Sequence, residues 1–261
     1  QKWIGKHNFD LLGGITTQES FTQFISAYAA GLPENATDNP NLRYLDLSTQ
    51  GNRVEGDAGE WGILSFLGRV NYNYGGKYFT TVNFRADGSS RFGENNKFGY
   101  FPSFSLGWKI SEEAFLQGES WLNNLMLRGG WGSLGNQSSL PNYAFASLVT
   151  PNINYTFGWP QEVIRGQAPI GVGNPDLKWE ATDETNLGFD FMGFEGKVTA
   201  SFDWYHKKTT DMLLQVPVIQ YSGIQESPYV NGGNVVNKGV ELMLGYQNTT
   251  PSGFNYDISA N

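Results

Sequence analysis

The 261-residue sequence contains no cysteine and only two histidines. The absence of cysteine excludes a disulfide framework, a thiolate metal site and a cysteine nucleophile. Lysine and arginine number 17 against 25 acidic residues, so the formal net charge is −8. This balance argues against a nucleic-acid partner, because phosphate backbones recruit basic surfaces. The sequence also has no run of about 18 apolar residues and therefore predicts no transmembrane helix.

The residues that commonly carry chemistry form no catalytic or metal-binding pattern. His7 and His206 lack metal-type spacing, and no Ser/His/Asp arrangement can be assembled. Residues 130–135 have the spacing of a dinucleotide fingerprint, but no helix is expected to follow them. We interpret these glycines as places where a strand bends or where another segment approaches closely. We therefore expect no enzyme activity, no catalytic residue, no metal and no cofactor.

The sequence is instead rich in features of β structure. Aromatic residues make up 15% of the chain and glycines number 33, which indicates strands joined by many turns. Nine segments alternate between apolar and polar residues, so each predicts a strand with one apolar and one polar face. In one of them Val82 and Phe84 alternate with Asn83 and Arg85. The segments are roughly 7–17, 64–74, 78–87, 100–110, 125–134, 185–191, 197–205, 239–247 and 254–259.

The connections between these segments alternate in length. Residues 75–77 (Gly-Gly-Lys) predict a tight hairpin, and the stretch 111–116, which begins with serine, predicts a short helix. In an up-and-down meander, alternate connections lie at the same end of the sheet, so the long ones gather at one end. Outer-membrane barrels have this asymmetry, with long loops on the extracellular side. The long loops are predicted at about 18–63, 88–99, 135–184 and 206–238.

These patterns predict an all-β fold, an antiparallel up-and-down transmembrane β-barrel with apolar strand faces toward lipid. Ten residues at about 3.3 Å each, tilted by about 40°, project onto about 25 Å, close to the apolar band of such barrels. Tyr74, Tyr78 and Trp108 lie near strand ends, as in interfacial aromatic girdles. The chain begins without methionine and stops within an alternating segment. We therefore expect residues 1–261 to be part of the barrel of a longer protein.

An alternative interpretation has the same strands in a soluble protein instead of a membrane. A soluble β-rich carbohydrate-binding or adhesin module would have the same alternation. In such a module a second sheet would cover the apolar faces.

Six motifs occur in order along the chain. They are Leu-Gly-Arg-Val-Asn-Tyr-Asn-Tyr at 67–74, Asp-Gly-Ser-Ser-Arg-Phe-Gly at 87–93, Phe-Pro-Ser-Phe-Ser-Leu-Gly-Trp at 101–108, Leu-Arg-Gly-Gly-Trp-Gly-Ser-Leu-Gly-Asn at 127–136, Asn-Pro-Asp-Leu-Lys-Trp-Glu at 174–180 and Asn-Lys-Gly-Val-Glu at 237–241. In this order the motifs resemble the SusC/RagA family of TonB-dependent outer-membrane transporters of Bacteroidetes. The resemblance covers most of the chain.

The resemblance implies a barrel of about 22 strands, with an N-terminal plug and a TonB box, in the outer membrane of a Gram-negative, Bacteroidetes-type cell. It implies import of oligosaccharides or oligopeptides with a SusD-like surface lipoprotein as a lid. Energy would come from TonB through the N-terminal region. This chain would supply about nine strands of the wall, without the plug, the TonB box or the terminal strands. The implied partners are the lipoprotein, TonB, outer-membrane lipid and a glycan or peptide solute, and no nucleic acid.

Two sets of residues are candidates for contact with solute or partner. The first set would point into the lumen if the apolar faces meet lipid. It comprises Arg69, Asn71, Asn83, Arg85, Asp87, Arg128, Asp190, Asp203 and Tyr205. These side chains either bind one another, a plug or water, or touch a solute in transit. The second set contains aromatic residues of the long loops, which stack on sugar rings or pack against a partner. It comprises Tyr143, Tyr155, Trp159, Tyr221 and Tyr229.

Overall fold

A computed structural model describes residues 2–32, 40, 44, 48, 50–169, 171–219, 221, 223, 224 and 226–261. The chain divides into two compact units. One unit comprises Gln1–Thr17 with Ile63–Asn261, and the other is Gln18–Gly62. In the described part of the chain, no helix is long and apolar enough to cross a membrane.

The described residues form fourteen strands. They are β1 Lys2–Ile4, β2 His7–Ala30, β3 Gln50–Tyr74, β4 Tyr78–Ser89, β5 Phe98–Lys109, β6 Leu122–Asn136, β7 Val149–Phe157, β8 Glu162–Pro169, β9 Glu180–Gly193, β10 Val198–Thr210, β11 Leu213–Gln215, β12 Tyr229–Asn231, β13 Val235–Thr249 and β14 Asn255–Ala260. Ten of them form one sheet in the order β1-β2-β3-β4-β5-β6-β9-β10-β13-β14. The pairs β7–β8 and β11–β12 form separate two-stranded sheets.

The predicted all-β antiparallel fold is confirmed. Each of the nine predicted segments coincides with a strand of the ten-stranded sheet, and the missed strand of that sheet is the three-residue β1. Strands that are neighbours in the sheet pair antiparallel wherever a register is described. The sheet therefore follows the order of the chain, and the two small sheets are insertions within its connections.

The predicted loop 18–63 is wrong over much of its length. Strand β2 continues to Ala30 and strand β3 begins at Gln50, so both strands extend into the unit Gln18–Gly62. The alternation breaks down in this stretch, where Phe24 and Ile25 are adjacent and both exposed. Because neither face is consistently apolar there, the alternating pattern stops before the strand does. Residues 33–39 and most of 41–49 lie outside the described residues.

The other long connections also contain regular structure. The connection predicted at 135–184 holds the hairpin β7–β8, and that at 206–238 holds the paired strands β11 and β12. A 3-10 helix, Glu94–Asn96, lies within 88–99. The short helix predicted at 111–116 is wrong, because only a 3-10 helix, Ile110–Glu112, forms there and turns follow it.

The register of the ten-stranded sheet defines an apolar face. Paired residues of antiparallel strands place their side chains on the same face. One row crosses six neighbouring strands, and it consists of Tyr78, Trp108, Leu127, Phe189, Phe202 and Leu242. Val82 belongs to the same face and pairs with Val70 and Phe104. Its exposed fraction is 47%, and that of Leu106 is 53%. The strands therefore present an apolar surface that other elements of the described chain leave uncovered.

The opposite face is polar and contains small residues. A row across seven strands consists of Arg69, Asn83, Ser103, Gly132, Glu184, Lys207 and Asn237. Because side chains in a strand alternate with period two, one sequence builds both faces at once.

A buried apolar cluster lies at the loop connections. It contains Phe92, Leu140, Leu177 and Leu213, and Leu177 is 0% exposed. Ala144, Trp179 and Tyr229 pack against it. The cluster joins four segments that are far apart in sequence, and it anchors the long connections to one another.

Replacing Leu177 with alanine should destabilise the protein by about 2–5 kcal/mol, because the buried site would lose packing and keep a cavity. Leu134→Ala is the control, since Leu134 is 69% exposed. Equilibrium urea unfolding measures both variants. Equal shifts in the two midpoints would contradict the assignment of Leu177 to a packed cluster.

Candidate functional site

The residues predicted to face a lumen share one face of the sheet. Asn83 pairs with Arg69 on β3 and with Ser103 on β5, and Asp203 lies in register with Gly188 and, through it, with Arg128. Asn71, Arg85, Asp87, Asp190 and Tyr205 occupy positions of the same parity in these registers. The sequence pattern therefore groups these nine side chains correctly on the polar face.

Many of these side chains bind one another. Arg69 Nε donates to Asn83 Oδ1 at 2.7 Å, and Asn83 Nδ2 donates to Ser103 Oγ at 3.1 Å. Arg85 Nε donates to both carboxylate oxygens of Asp87, at 2.9 and 2.8 Å, and its Nη2 donates to Ser65 Oγ at 3.0 Å. Hydrogen bonds across strands thus hold the polar face in a fixed arrangement.

The strongest polar cluster joins Arg128 to two carboxylates. Its guanidinium donates to Asp190 at 2.7 and 3.2 Å and to Asp203 at 2.7 Å through each of two nitrogens. Ser201 Oγ also donates to Asp190, at 2.9 Å. Gly188 lies between Arg128 and Asp203 in the register, and a Cβ there would lie 2.6 Å from Asp203 Oδ1. Because Gly188 has no side chain, the Arg128 guanidinium can cross β9, and its hydrogen bonds join β6, β9 and β10.

Aromatic rings form a band on the apolar face near the short connections. Tyr78 stacks with Trp108 at a centroid distance of 6.3 Å and lies 6.2 Å from Tyr74. His7 lies 4.7 Å from Tyr74, and its Nδ1 is 2.8 Å from the Tyr72 hydroxyl. The arrangement matches the predicted girdle at one end of the strands.

Glu113, in the connection after β5, fixes two rings of this band. Its carboxylate accepts hydrogen bonds from Tyr78 Oη at 2.6 Å, Trp108 Nε1 at 3.1 Å and Lys77 Nζ at 3.3 Å. The hydrogen bonds from Tyr78 and Trp108, together with the charge of Lys77, hold the pKa of Glu113 below its usual value. The carboxylate therefore remains charged to a lower pH than an isolated glutamate.

Two sequence motifs that lie about 85 residues apart meet at the loop connections. The ring of Phe92, from the motif 87–93, lies 4.9 Å from that of Trp179, from the motif 174–180. Asn96 Nδ2 donates to the Asp176 carbonyl at 3.0 Å, and Trp179 Nε1 donates to the Lys97 carbonyl at 3.3 Å. Sequence reasoning identified both motifs but did not predict this contact, because no periodicity links them.

Asn174, the first residue of the second motif, joins two further segments. Its backbone N–H donates to the Ala144 carbonyl at 3.2 Å, and its Nδ2 donates to the Tyr229 carbonyl at 3.1 Å. Gly173 N donates to Ser147 Oγ at 3.0 Å. A Cβ on Gly173 would overlap the backbone of Ala146, so only glycine allows this close approach.

These contacts frame a pocket of about 600 Å³, which we call the loop pocket. Its walls come from three segments, 141–148, 171–172 and 226–229, and from Gln215. Of the five loop aromatics, Tyr143 and Tyr229 line it. Tyr229 is half-buried because it also packs against the buried cluster.

The remaining loop aromatics do not line this pocket. Tyr155 and Trp159 belong to the β7–β8 hairpin, and Trp159 and Tyr221 are 96% and 92% exposed. Their predicted contact with solute or partner stays a prediction.

The stretch 130–135 lies wholly within strand β6, so it does not form a nucleotide-binding turn. The Phe101 ring occupies the space that a side chain on Gly135 would need. The interpretation of this glycine as a point of close approach is therefore confirmed. Among the residues that the structure describes, no group of three His, Asp or Glu side chains is placed to hold a metal ion.

A sheet with one uncovered apolar face, one hydrogen-bonded polar face and an aromatic band is the wall of a β-barrel. The family described as "TonB dependent receptor-like, beta-barrel" matches residues 2–261. The chain belongs to this family, whose members are outer-membrane proteins.

Curated relatives carry the same family name. The chain is 35% identical over 257 residues to TonB-dependent receptor P26 of Formosa agariphila, covering 98% of this chain and 25% of that protein. It is 35% identical over 202 residues to TonB-dependent receptor SusC of Bacteroides thetaiotaomicron, covering 76% of this chain and 20% of that protein. The chain thus spans about a quarter of the length of the curated relatives that it matches.

Solved structures agree with this assignment. The structure of the RagAB peptide importer in the closed-closed state superposes with a TM-score of 0.84 at 32% identity, covering 99% of this chain and 28% of that chain. Its open-open state gives a TM-score of 0.81 at 32% identity, covering 98% and 28%. The resemblance to the SusC/RagA family is confirmed.

Replacing Arg128 with methionine should cost about 1–3 kcal/mol, because Asp190 and Asp203 would lose their shared cation while remaining partly solvated. The side chains of the three residues are 33%, 40% and 19% exposed, which limits the loss. The triple change that adds Asp190→Asn and Asp203→Asn should be more stable than Arg128→Met alone. Urea unfolding measures both, and a triple variant less stable than the single variant would contradict the cluster.

Acid stability should depend on Glu113. The pKa of Glu113 is lowered in the folded state, so its charged form stabilises the fold. This contribution to the free energy of unfolding is complete above the ordinary glutamate pKa of about 4.3 and is lost as pH falls through the lowered pKa. Glu113→Gln should therefore flatten the fall in unfolding midpoint between about pH 5 and 3. Glu94→Gln is the control, since Glu94 lies in an exposed 3-10 helix away from this cluster. Parallel pH profiles for wild type and Glu113→Gln would contradict the prediction.

Proposed function

We propose that this chain is part of the barrel wall of an outer-membrane TonB-dependent importer. The observation that carries the proposal is the division of the ten-stranded sheet into an uncovered apolar face and a hydrogen-bonded polar face. In this assignment Val82 and Leu106 face lipid, and Arg69, Asn83 and Arg128 line the lumen. The wall performs no covalent chemistry, and its task is to enclose a passage.

The proposed cargo is an oligosaccharide or an oligopeptide. Similarity to SusC and to the RagAB peptide importer supports this range. The proposed partners are a SusD-like surface lipoprotein over the loop end and TonB, acting through an N-terminal region and a plug beyond this chain. The long connections, including the loop pocket, would then lie on the extracellular side.

The alternative, a soluble carbohydrate-binding or adhesin module, loses its support. It predicted a second sheet over the apolar face. In the described ranges, the sheets besides the ten-stranded one are the hairpins β7–β8 and β11–β12, and the apolar face stays exposed.

Arginine at Val82 should cost about 2–4 kcal/mol if the residue lies near the middle of the bilayer, because the charge would enter hydrocarbon. Ser105→Arg is a matched control. Ser105 is exposed on the polar face, one register position from the Val82 partner Phe104. Heat-modifiable gel mobility of the full-length protein in outer membranes measures how much of each variant assembles. The first variant should fail to assemble and the second should assemble.

Spin labels at the same two positions test the orientation directly. A label at Val82 should be accessible to a lipid-soluble relaxation agent, and a label at Ser105 to a water-soluble one. The reverse pattern, or a monodisperse protein without detergent, would contradict the proposal.

A further inference from the structure

The loop pocket is held open by the fold. Three hydrogen bonds join its walls, from Asn174 N to Ala144 O, from Asn174 Nδ2 to Tyr229 O and from Val216 N to Pro228 O at 3.1 Å. Two of the walls also pack against the buried cluster, one through Ala144 and the other through Tyr229. A pocket of about 600 Å³ built in this way needs little rearrangement to receive a ligand.

The charge of the pocket has one sign. Glu226 is the ionisable acid of the lining, and no lysine or arginine is among the described lining residues. Glu226 is exposed, and the hydrogen bonds and ion pairs of the described chain leave its carboxylate without a partner. Its Oε2 would lie 3.3 Å from a Cβ on Gly171, so the carboxylate lies beside another lining residue of the pocket. An uncompensated carboxylate at a concave site attracts donors and cations.

Two tyrosines, Tyr143 and Tyr229, line the same pocket as this carboxylate. Tyr143 has a backbone φ of 64°, a left-handed conformation that is uncommon for an aromatic residue. The turn that holds it is closed by Ala146 N, which donates to the Tyr143 carbonyl at 2.9 Å. Backbone conformations of this kind concentrate at ligand sites. A tyrosine face also attracts a cation.

We propose that the loop pocket binds a primary ammonium or guanidinium group of the transported solute, with Glu226 as the ion-pair partner and Tyr143 and Tyr229 as aromatic walls. The inference rests on the proposed import function and narrows its cargo to peptides that carry a basic side chain. An acidic solute would meet repulsion from Glu226.

The test uses the full-length protein in detergent and four probes. These are acetyl-Ala-Lys-Ala-amide, its norleucine analogue, its glutamate analogue and maltotriose. Calorimetric titration should give about tenfold tighter binding of the lysine peptide than of the norleucine peptide. The difference in affinity between the two peptides should shrink as salt is added, because salt screens the ion pair with Glu226.

Glu226→Gln should abolish the preference for lysine over norleucine. Glu162→Gln, on the exposed strand β8 and outside the pocket lining, should preserve it. Tyr143→Asn tolerates the left-handed backbone but removes the ring, so it should weaken binding about 2–5-fold. Heat-modifiable mobility confirms that each variant is folded.

Three outcomes would overturn the inference. These are an unchanged lysine preference in Glu226→Gln, equal binding of the glutamate peptide, and no binding of the lysine peptide to the folded protein. Maltotriose binding that requires Glu226, without a lysine preference, would also overturn it and would indicate a hydroxyl-binding site. Each of these leaves the importer assignment intact, because the Val82→Arg and Ser105→Arg pair tests that assignment separately.

Discussion

The register of the antiparallel ladder is the constraint on which the rest of this structure depends. Side chains alternate between faces, so a slip of one residue would exchange the apolar and polar surfaces of a strand. In a membrane the cost would be large, because Arg128 or Asn83 would then enter hydrocarbon. The ladder also satisfies the backbone N–H and C=O groups, which lipid cannot do. The cross-strand bonds of Arg128 to Asp190 and Asp203 exist only in this register.

The second organising element is the contact between the motifs 87–93 and 174–180. Together with Leu140 and Leu213 they form the buried cluster at the loop end, and Asn174 extends it to two further segments. The motifs that identify the family are thus structural anchors for the loops that surround the proposed site.

Much of the sheet could be predicted from the sequence, because the alternation directly encodes strand and face. For this reason the residues of the set from Arg69 to Tyr205 share one face of the sheet, and their orientation toward a lumen stays a prediction. The prediction failed at 18–30 and 50–63, where adjacent apolar residues such as Phe24 and Ile25 break the alternation that indicates a strand. The loop pocket could not be predicted, because it depends on contacts between segments that no local pattern connects. Tyr143 and Tyr229 can be identified in the sequence as loop aromatics, but only the fold brings them to one pocket.

Strand β9 connects the motif at 174–180, beside the loop pocket, to the Arg128 cluster. It begins at Glu180, the last residue of the motif that carries Asn174, and it contains Asp190 of the Arg128 cluster. A strand paired on both sides cannot slide without breaking every bond of its ladders, so it behaves as a stiff rod along its length. The paired strand therefore holds the Arg128 cluster at a fixed distance from the motif that begins with Asn174.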